Sequence, residues 1–438
     1  MNPPAGRRRA VIERGEIMNI KMKTLLVVLL TVPLLLAGMV DTQAEVFVQC
    51  PCDKDGDAVV DTPNKPECRN IRCMHLAAGD GFVTMADGRP AYIFGFADVT
   101  GTPPEMVMME GMLAMTFPAP TIAVEEGTDF YLNLTNVGMM MRPDLFDPHT
   151  VHWHGFPQAA AIFDGVPDAS ISINMGATLT YYYKVVEPGT YMYHCHVEAT
   201  EHMQMAMLGN LYVLPAQNNL PNGTDLNGFT HQNGYKYVYN DGDGSTYYDV
   251  DYPIQIGSFD SNFHEASWKV QPLPFALMRD NYPMLNGRGY PDTVNPGSLP
   301  PPQCQPPYVD PVVPCEAGEL LNGGKYSQNV STLIEATAGQ KVLLRISNLN
   351  VTRFYTLASL GLPMKVVGLN ARLLRGPDGK NLYYTTNSVT LGGGESVDVI
   401  LDTTGVTPGK YFLYTTNMNY LSNYQEDFGG MMTEIVIN

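Results

Sequence analysis

The stretch YHCHVEATEHMQMAM, residues 193–207, brings soft metal ligands close together. It contains one cysteine, Cys195, together with three histidines and three methionines. A second short stretch, HTVHWHG at 149–155, holds three more of the nine histidines in the chain. Imidazole, thiolate and thioether groups are the ligands that copper prefers in proteins. The two stretches therefore predict copper chemistry.

The direction of side chains in an extended chain sorts these ligands into two sets. Successive residues of a strand point to opposite faces, so Cys195 points away from the histidines on either side of it. One face receives four imidazoles, which belong to His152, His154, His194 and His196. The other face receives His149 and Cys195, which His202 and Met207 can join from the following loop.

The second set matches the ligands of a blue, or type 1, copper site. Such a site uses two imidazoles, one thiolate and a weak axial thioether, which suit an ion that cycles between Cu(I) and Cu(II). The four imidazoles of the first set suit copper without a thiolate. Because Cys195 lies between two of these histidines, its backbone offers electrons a short covalent path between the sites. The alternative is a buried free cysteine with surface histidines, which this spacing disfavours.

The elements that carry these ligands are predicted to be strands. The 438 residues include 41 glycines and 34 prolines, and only 16% of the residues are charged. Alternating apolar and polar segments, interrupted by turn residues about every ten positions, predict an all-β protein of two β-sandwich domains. We divide the chain into an export signal at 1–44, a Cys- and Asp-rich segment at 45–84 and a copper-binding domain at 85–215. A linker at 216–247 and a second domain without copper ligands at 248–438 follow.

The segment 1–44 has the features of a cleaved export signal. Lysines precede an apolar run, and a small-x-small pattern follows at Thr42–Ala44. A membrane anchor is the alternative, but the run is short for a span and contains Pro33. Residues 1–17 fit neither interpretation and indicate an over-extended start. We therefore predict a secreted or periplasmic protein with no stable membrane anchor after cleavage.

Six of the seven cysteines are predicted to form three disulfides, as is usual for an exported protein. Cys304 and Cys315 are the natural local pair. The other four allow three connectivities, and a metal knuckle is their alternative role: Cys50, Cys52, Cys68 and Cys73. Cys195 is left over.

Four aspartates in the same segment have the alternating spacing of a calcium loop: Asp53, Asp55, Asp57 and Asp61. The glycine of an EF-hand is not at its usual position, and no glutamate closes the loop. The alternatives are therefore a calcium site and an acidic loop held by disulfides.

The two ligand stretches resemble the copper motifs of the multicopper oxidases, a family of the cupredoxin superfamily. VHWHGFPQ is similar to their type 2/type 3 motif, and FDGVP followed by EPGTYMYHCH is similar to their next block. PMLNGRGYPDT and GQKVLLRISNLNVTRFYTLASLGLPMKVVG resemble a later domain. The resemblance covers most of 115–438 and implies two cupredoxin-like Greek-key β-sandwich domains.

The resemblance implies a copper role for each ligand. The type 1 ligands would be His149, Cys195 and His202, with Met207 axial. His152 matches the type 2 position, and the type 3 positions match His154, His194 and His196. A cysteine in the first domain is typical of two-domain members, which assemble as trimers. We therefore expect a homo-oligomer, with a trimer favoured.

The chain departs from the family where the second half of a trinuclear copper cluster is expected. That cluster takes eight histidines in the family, four from each of two facing domains. The second domain here contains only His264, and Thr415, Thr416 and Asn417 stand where a His-x-His pair is expected. Three interpretations follow: an oxidase whose cluster forms between two first domains, a nitrite-reductase-like enzyme, or a type 1 copper electron-transfer or copper-binding protein without oxidase activity.

The net charge of −18 argues against nucleic acid as a partner. It is compatible with a small molecule, a metal ion or a basic redox partner protein as the electron donor. A structural secreted protein that binds no copper is the remaining class. We expect a copper-dependent oxidoreductase that takes electrons at the type 1 copper. Its His-Cys-His path would pass them to a histidine-rich copper site for oxygen reduction.

Overall fold

The computed structural model describes residues 48–305, 315–424 and 426–438. The export signal predicted for 1–44 lies outside these residues. The described part is mostly strands with a few short helices, which confirms the all-β prediction. None of its helices is long and apolar enough to cross a membrane.

The N-terminal half contributes eight strands: β1 (Ile71–Thr84), β2 (Pro90–Asp98), β3 (Ala119–Glu125), β4 (Asp129–Gly138), β5 (His152–His154), β6 (Thr178–Lys184), β7 (Gly189–His194) and β8 (Leu208–Leu214). They form two four-stranded sheets, with orders β2-β1-β4-β6 and β3-β8-β7-β5. Tyr181 and Tyr183 are buried between the sheets whereas Tyr182 is 37% exposed, the two-residue alternation of a half-buried strand. Because β1 pairs with β2 and β4, this sandwich begins before residue 85, the boundary expected from sequence.

Four two-residue strands follow: β9 (Asp225–Leu226), β10 (Phe229–Thr230), β11 (Lys236–Tyr237) and β12 (Tyr247–Tyr248). They form two small antiparallel pairs, β9 with β10 and β11 with β12. The carboxylate of Asp241, which is 2% exposed, accepts hydrogen bonds from the backbone amides of Gly244 and Thr246. Hydrogen bonds between polar side chains and the backbone thus stabilise a compact structure in this segment. The sequence suggested only a linker there.

The C-terminal half contributes twelve strands: β13 (Val250–Phe259), β14 (Tyr282–Leu285), β15 (Ile334–Ala336), β16 (Lys341–Asn348), β17 (Tyr355–Leu360), β18 (Met364–Leu369), β19 (Arg372–Leu373), β20 (Tyr384–Thr386), β21 (Ser388–Leu391), β22 (Glu395–Asp402), β23 (Gly409–Thr415) and β24 (Met432–Ile437). Seven form the sheet β14-β13-β16-β22-β18-β19, in which β20 also pairs with β18. The other five form the sheet β15-β24-β23-β17-β21. Leu344, Ile346 and Val399 lie in the apolar core of this sandwich.

Helices are short in the described part. The α-helices are α1 (Val107–Gly111), α2 (Ala199–Gln204) and α3 (Ser261–Trp268). Single turns of 3-10 helix occupy Ala161–Phe163, Ala216–Asn219, Phe275–Leu277, Asp292–Val294, Asn322–Gly324 and Met418–Tyr420. The Asp260 side chain caps α3 by accepting from the Asn262 amide at 2.9 Å.

The two sandwiches share an apolar cluster. It includes Met192 and Leu208 from the first sandwich and Phe259, Met284 and Leu349 from the second. Burial of apolar area from both sides favours one fixed arrangement of the sandwiches.

A buried polar network adds to this junction at β7. Asp398 on β22 is 1% exposed and accepts hydrogen bonds from Thr190 Oγ1 and Tyr239 Oη. Arg345 on β16, also 1% exposed, donates to Thr190 Oγ1 at 3.2 Å. Strand β7, which leads directly to Cys195, is therefore held by both sandwiches.

The disulfides settle the pairing of the cysteines. Cys304 pairs with Cys315, which confirms the predicted local pair. The other two disulfides are Cys50–Cys73 and Cys52–Cys68, so a metal knuckle at these four residues is wrong. Cys195 is free and buried.

Candidate metal centres

The free thiol of Cys195 is the centre of a buried ligand set. Its Sγ lies 3.2 Å from His202 Nδ1 and 3.8 Å from His149 Nδ1. The three ligand atoms lie within 4.8 Å of one another, and all three residues are 0% exposed. One thiolate and two imidazole nitrogens thus converge on one point inside the first sandwich.

Each of these ligands is held by local backbone structure. His149 exchanges two backbone hydrogen bonds with Ile173, at 3.0 and 2.9 Å. His202 lies on α2, a helix that follows β7 after a few residues. Met207 is fully buried just before β8, and its carbonyl accepts from the Cys195 amide at 3.1 Å. The segment 195–207 therefore closes on itself around the thiol.

A backbone amide also contacts the sulfur. The Thr150 amide approaches Cys195 Sγ at 3.5 Å, within the range of a hydrogen bond to sulfur. Such a bond withdraws electron density from a thiolate and tunes a metal bound to it. Sequence reasoning did not identify this contact, although Thr150 follows His149 directly.

The pKa values of the two histidines in the metal-free set shift in opposite directions. Burial and the neighbouring His202 lower the pKa of His149 well below its usual value. Burial also lowers the pKa of His202, but the charge of Cys195 and the contacts with Asp147 outweigh it and raise that pKa to about 10. A metal ion bound here displaces the His202 proton, because a ligating imidazole is deprotonated. The donor set fits copper: two Nδ1 atoms and a thiolate beside a buried thioether.

The four remaining histidines of the two ligand stretches form a second cluster. Strand β5 pairs with β7, which places His152 directly opposite His194. The ring centre of His152 lies 5.2 Å from that of His194 and 5.0 Å from that of His196. The rings of His154 and His194 are 6.0 Å apart. The structure therefore brings together the four imidazoles that side-chain alternation placed on one face.

Backbone carbonyls orient two of these imidazoles. His152 Nδ1 donates to the Asp164 carbonyl at 2.6 Å, and His194 Nδ1 donates to the Cys195 carbonyl at 2.8 Å. The Nε2 atom of each ring then remains available to a metal. Burial lowers the pKa of His194 to about 3 and also lowers that of His154, so both are in the ligating form at neutral pH.

The four histidines line a cavity of about 440 Å³ whose opposite wall comes from the second sandwich. This wall consists of residues 349–354 and 393–394. Gly394 approaches closely, since a Cβ added there would lie 2.6 Å from His154 Cε1. His264, the one histidine of the second sandwich, lies elsewhere and contacts the Tyr92 and Gln204 carbonyls. One chain therefore supplies four imidazoles to this site, as the count from the sequence predicted, and these are half of the eight that a trinuclear cluster takes in the family.

The other histidines have structural surroundings. His75 Nε2 contacts Thr135 Oγ1 at 2.7 Å, and burial lowers its pKa to about 4. His231 Nδ1 contacts Tyr237 Oη at 2.9 Å in the segment between the sandwiches.

The predicted calcium loop has a different character. Carboxylate oxygens of Asp53, Asp55 and Asp61 lie within 4.8 Å of one another, and Asp57 is not among them. Asp53 already accepts hydrogen bonds from the amides of Gly56 at 2.8 Å and Ala58 at 2.9 Å. These contacts shape an acidic turn, and calcium binding there stays a prediction.

Comparison with known proteins finds similarity to multicopper oxidases. Two family models, both described as multicopper oxidase, match residues 99–218 and 305–438, together more than half of the chain. The chain is 37% identical over 82 residues to multicopper oxidase MmcO of Mycobacterium tuberculosis, which covers 19% of this chain and 15% of that protein. It is 24% identical over 328 residues to laccase-5 of Arabidopsis thaliana, covering 73% and 43%. The chain thus matches less than half the length of these curated relatives.

The fold has relatives among solved structures. The chain superposes on the blue copper oxidase from Nitrosomonas europaea with a TM-score of 0.57 and 23% sequence identity, covering 84% of this chain and 86% of that one. This likeness shows the cupredoxin-type fold that the motifs predicted.

Proposed function

Because the chain belongs to the multicopper oxidase family, we propose that it is a secreted or periplasmic copper-dependent oxidoreductase. His149, Cys195, His202 and Met207 would hold a type 1 copper, which would supply electron uptake from the donor. The four-histidine cluster would hold the copper that supplies oxygen reduction, and the His-Cys-His segment would connect the two sites. The convergence of three buried ligand atoms within 4.8 Å carries this proposal.

Bound copper supplies one-electron redox chemistry, and the protein supplies position and insulation. His194 is covalently linked to Cys195, and its Nδ1 donates to the Cys195 carbonyl at 2.8 Å. This double connection makes Cys195 the shortest route between the two sites. The Asp164 carbonyl fixes the ring of His152, so its Nε2 is presented to the cavity.

The lack of second-sandwich histidines in the described lining of this cavity concerns the oligomeric state of the protein. We propose that a second copy of the chain contributes its own first-sandwich histidines to this site, and the resemblance to two-domain family members favours a trimer as the oligomer. The donor is a small molecule, a metal ion or a redox partner protein.

The wall at 349–354 supports one alternative function. No histidine of the second sandwich lines the cavity in the described part of the chain. Without ligands from another copy, the protein would carry electrons through the Cys195 site alone, as an electron-transfer protein without oxidase activity.

Copper analysis with optical and paramagnetic resonance spectra tests the proposal. The copper-loaded protein should be blue, hold more than one copper per chain and consume oxygen with a reductant. Cys195→Ser should remove the blue band, because a hydroxyl cannot replace the thiolate in the charge-transfer transition. His152→Ala with His196→Ala should keep the blue band and lose the additional copper and oxygen uptake. One copper per chain without oxygen uptake would establish the electron-transfer alternative.

A further inference from the structure

Helix α2 contributes to both candidate metal centres. Its residues Ala199 and Met203, one turn apart, line the cavity of the four-histidine cluster. His202 precedes Met203 directly, is 0% exposed and contacts Cys195 Sγ through its ring. Successive residues of a helix point about 100° apart. One short helix therefore presents an imidazole to the first site and a thioether to the second.

Met203 is placed differently from Met205, which follows two residues later. The Met203 side chain is half-buried: it packs against the apolar cluster that includes Leu208 and Leu349, and it also lines the cavity. Met205 is 0% exposed and lies in the apolar core of the first sandwich. Because a methionine side chain is unbranched and flexible, its sulfur adapts readily to a nearby partner. Packing thus leaves one methionine open to a metal in the cavity and encloses the other.

The opposite wall of the cavity adds no comparable ligand. In the described part of the chain, no carboxylate lines the cavity, and Met203 carries the one sulfur atom of the lining. Asn350 Nδ2 donates to the Ile256 carbonyl at 3.1 Å. Thr352 Oγ1 donates to the Asp280 carboxylate at 2.5 Å. The strong metal ligands of the lining are therefore four imidazoles and one thioether.

This ligand set favours Cu(I) over Cu(II). A thioether is a soft, uncharged ligand that selects Cu(I), whereas carboxylates suit harder ions. The permanently charged side chain of the described lining is that of Arg353. Because its charge is positive, it repels the doubly charged Cu(II) more strongly than the singly charged Cu(I).

We propose that Met203 is a copper ligand of the four-histidine site and that its thioether makes this site selective for Cu(I). The inference rests on the proposed function, which assigns copper to the four histidines. The thioether supplements the four imidazoles that one chain supplies.

X-ray absorption at the copper edge tests the ligand directly. The background protein is the full chain with Cys195→Ser and Met207→Leu, which removes both sulfur atoms of the first site. With one equivalent of Cu(I), it should show copper–sulfur scattering, and the further change Met203→Leu should abolish it. The control, Met205→Leu in the same background, removes a sulfur of the same segment that lies outside the cavity lining. It should leave the scattering unchanged.

Selectivity is measured by anaerobic competition with a Cu(I) chelator and, separately, by competition with a Cu(II) chelator. Loss of a group that only orients a metal ligand typically lowers metal affinity about 10- to 100-fold. Met203→Leu should therefore lower the Cu(I) affinity of the background protein about tenfold or more, and its Cu(II) affinity should stay near the background value. Met203→Leu alone, in a chain that keeps the first site, should show the same loss for the copper that is not blue.

Three results would overturn the inference: a background protein that binds Cu(I) without sulfur scattering, an equal effect of Met205→Leu, or equal losses of Cu(I) and Cu(II) affinity. The first of these would leave copper at the four histidines, and with it the proposed function, intact. A wild-type protein that is never blue would defeat the proposed function at Cys195. The Cu(I) titration of the background protein would still report on Met203, because that protein lacks the first site.

Discussion

Cys195 serves two sites because its side chain and its backbone face different partners. The Sγ lies among His149 and His202, whereas the carbonyl accepts a hydrogen bond from His194 of the second cluster. A serine would keep the backbone contact and lose the thiolate. Variants at this residue therefore separate spectroscopic effects at the first site from positional effects at the second.

Gly394 is predicted to leave the space that the His154 ring needs in the four-histidine cluster. Its φ of +89° is unfavourable for other residues, and an added Cβ would lie 2.6 Å from His154 Cε1. Gly394→Ala should therefore displace the His154 ring, and the copper content should fall while the blue band remains. Copper analysis and spectra of the loaded variant measure both effects.

Gly405→Ala is the matched control. Gly405 has a φ of +75°, and a Cβ there would meet nothing within 4 Å. It should lose about 1–2 kcal/mol of unfolding free energy from backbone strain alone and keep its copper. A Gly394→Ala protein with full copper content would show that the contact with His154 does not matter.

His75 is predicted to make stability depend on pH. Burial lowers its pKa to about 4 from an ordinary value of 6.5, so the unfolded chain takes up its proton first as the pH falls. Stability from this residue is therefore present above pH 6.5 and lost as the pH falls towards 4, by about 3 kcal/mol in total.

His75→Gln tests this by chemical denaturation of the copper-free protein between pH 7 and pH 4. The variant keeps an amide that can reach Thr135, and it lacks the titrating ring. Its unfolding free energy should fall less steeply than that of the wild type over this interval. Parallel pH profiles would contradict the assignment.

At the scale of elements, the site depends on short segments that both sandwiches hold in place. Asp280 links three of them. Its carboxylate accepts from Gln204 at the end of α2 at 3.3 Å, and from Ser258 and Thr352 at 2.5 Å each. Thr352 lies in the wall of the four-histidine cavity. Asp280 therefore connects the helix of His202 with that wall.

Asp280→Ala should lower the free energy of unfolding by about 3 kcal/mol, because it leaves several buried donors without an acceptor. It should also change the paramagnetic resonance parameters of the first copper, since α2 loses a constraint two residues from His202. Asp280→Asn retains one acceptor oxygen and should show a smaller loss. Unchanged spectra in a destabilised Asp280→Ala protein would limit its role to folding.

The amino-acid sequence predicted the elements that are specified by patterns of neighbouring residues. Strand alternation predicted that His152, His154 and His194 share a face, and they do because β5 and β7 are adjacent. Cys195 and His196 lie just beyond β7, and copper at Cys195 stays a prediction from its soft neighbours.

Contacts between segments that are distant in the chain could not be predicted from the sequence. The approach of Gly394 to His154 and the three partners of Asp280 each depend on tertiary packing that residue spacing in the sequence does not show. The pairing of Cys50 with Cys73 was likewise one of three equal choices.

At the scale of the whole molecule, the count of histidines predicts an assembly. Four imidazoles line the cavity in one chain, and the remaining histidines are engaged elsewhere. Sedimentation of the copper-loaded protein should therefore give the mass of an oligomer, for which the resemblance to two-domain family members favours three chains, with oxygen uptake in the same fraction. A monomer that still consumes oxygen would show that one chain suffices.

The complete burial of His149, Cys195 and His202 also concerns how the protein matures. An ion arriving from solvent meets no accessible donor atom at this site, so the folded chain must open locally around 195–207 before it can be metallated. At saturating copper, the rate of acquisition then equals the rate of that opening and no longer rises with the metal concentration. The same closure keeps the lone thiol out of exchange with three disulfides while the protein waits for its metal.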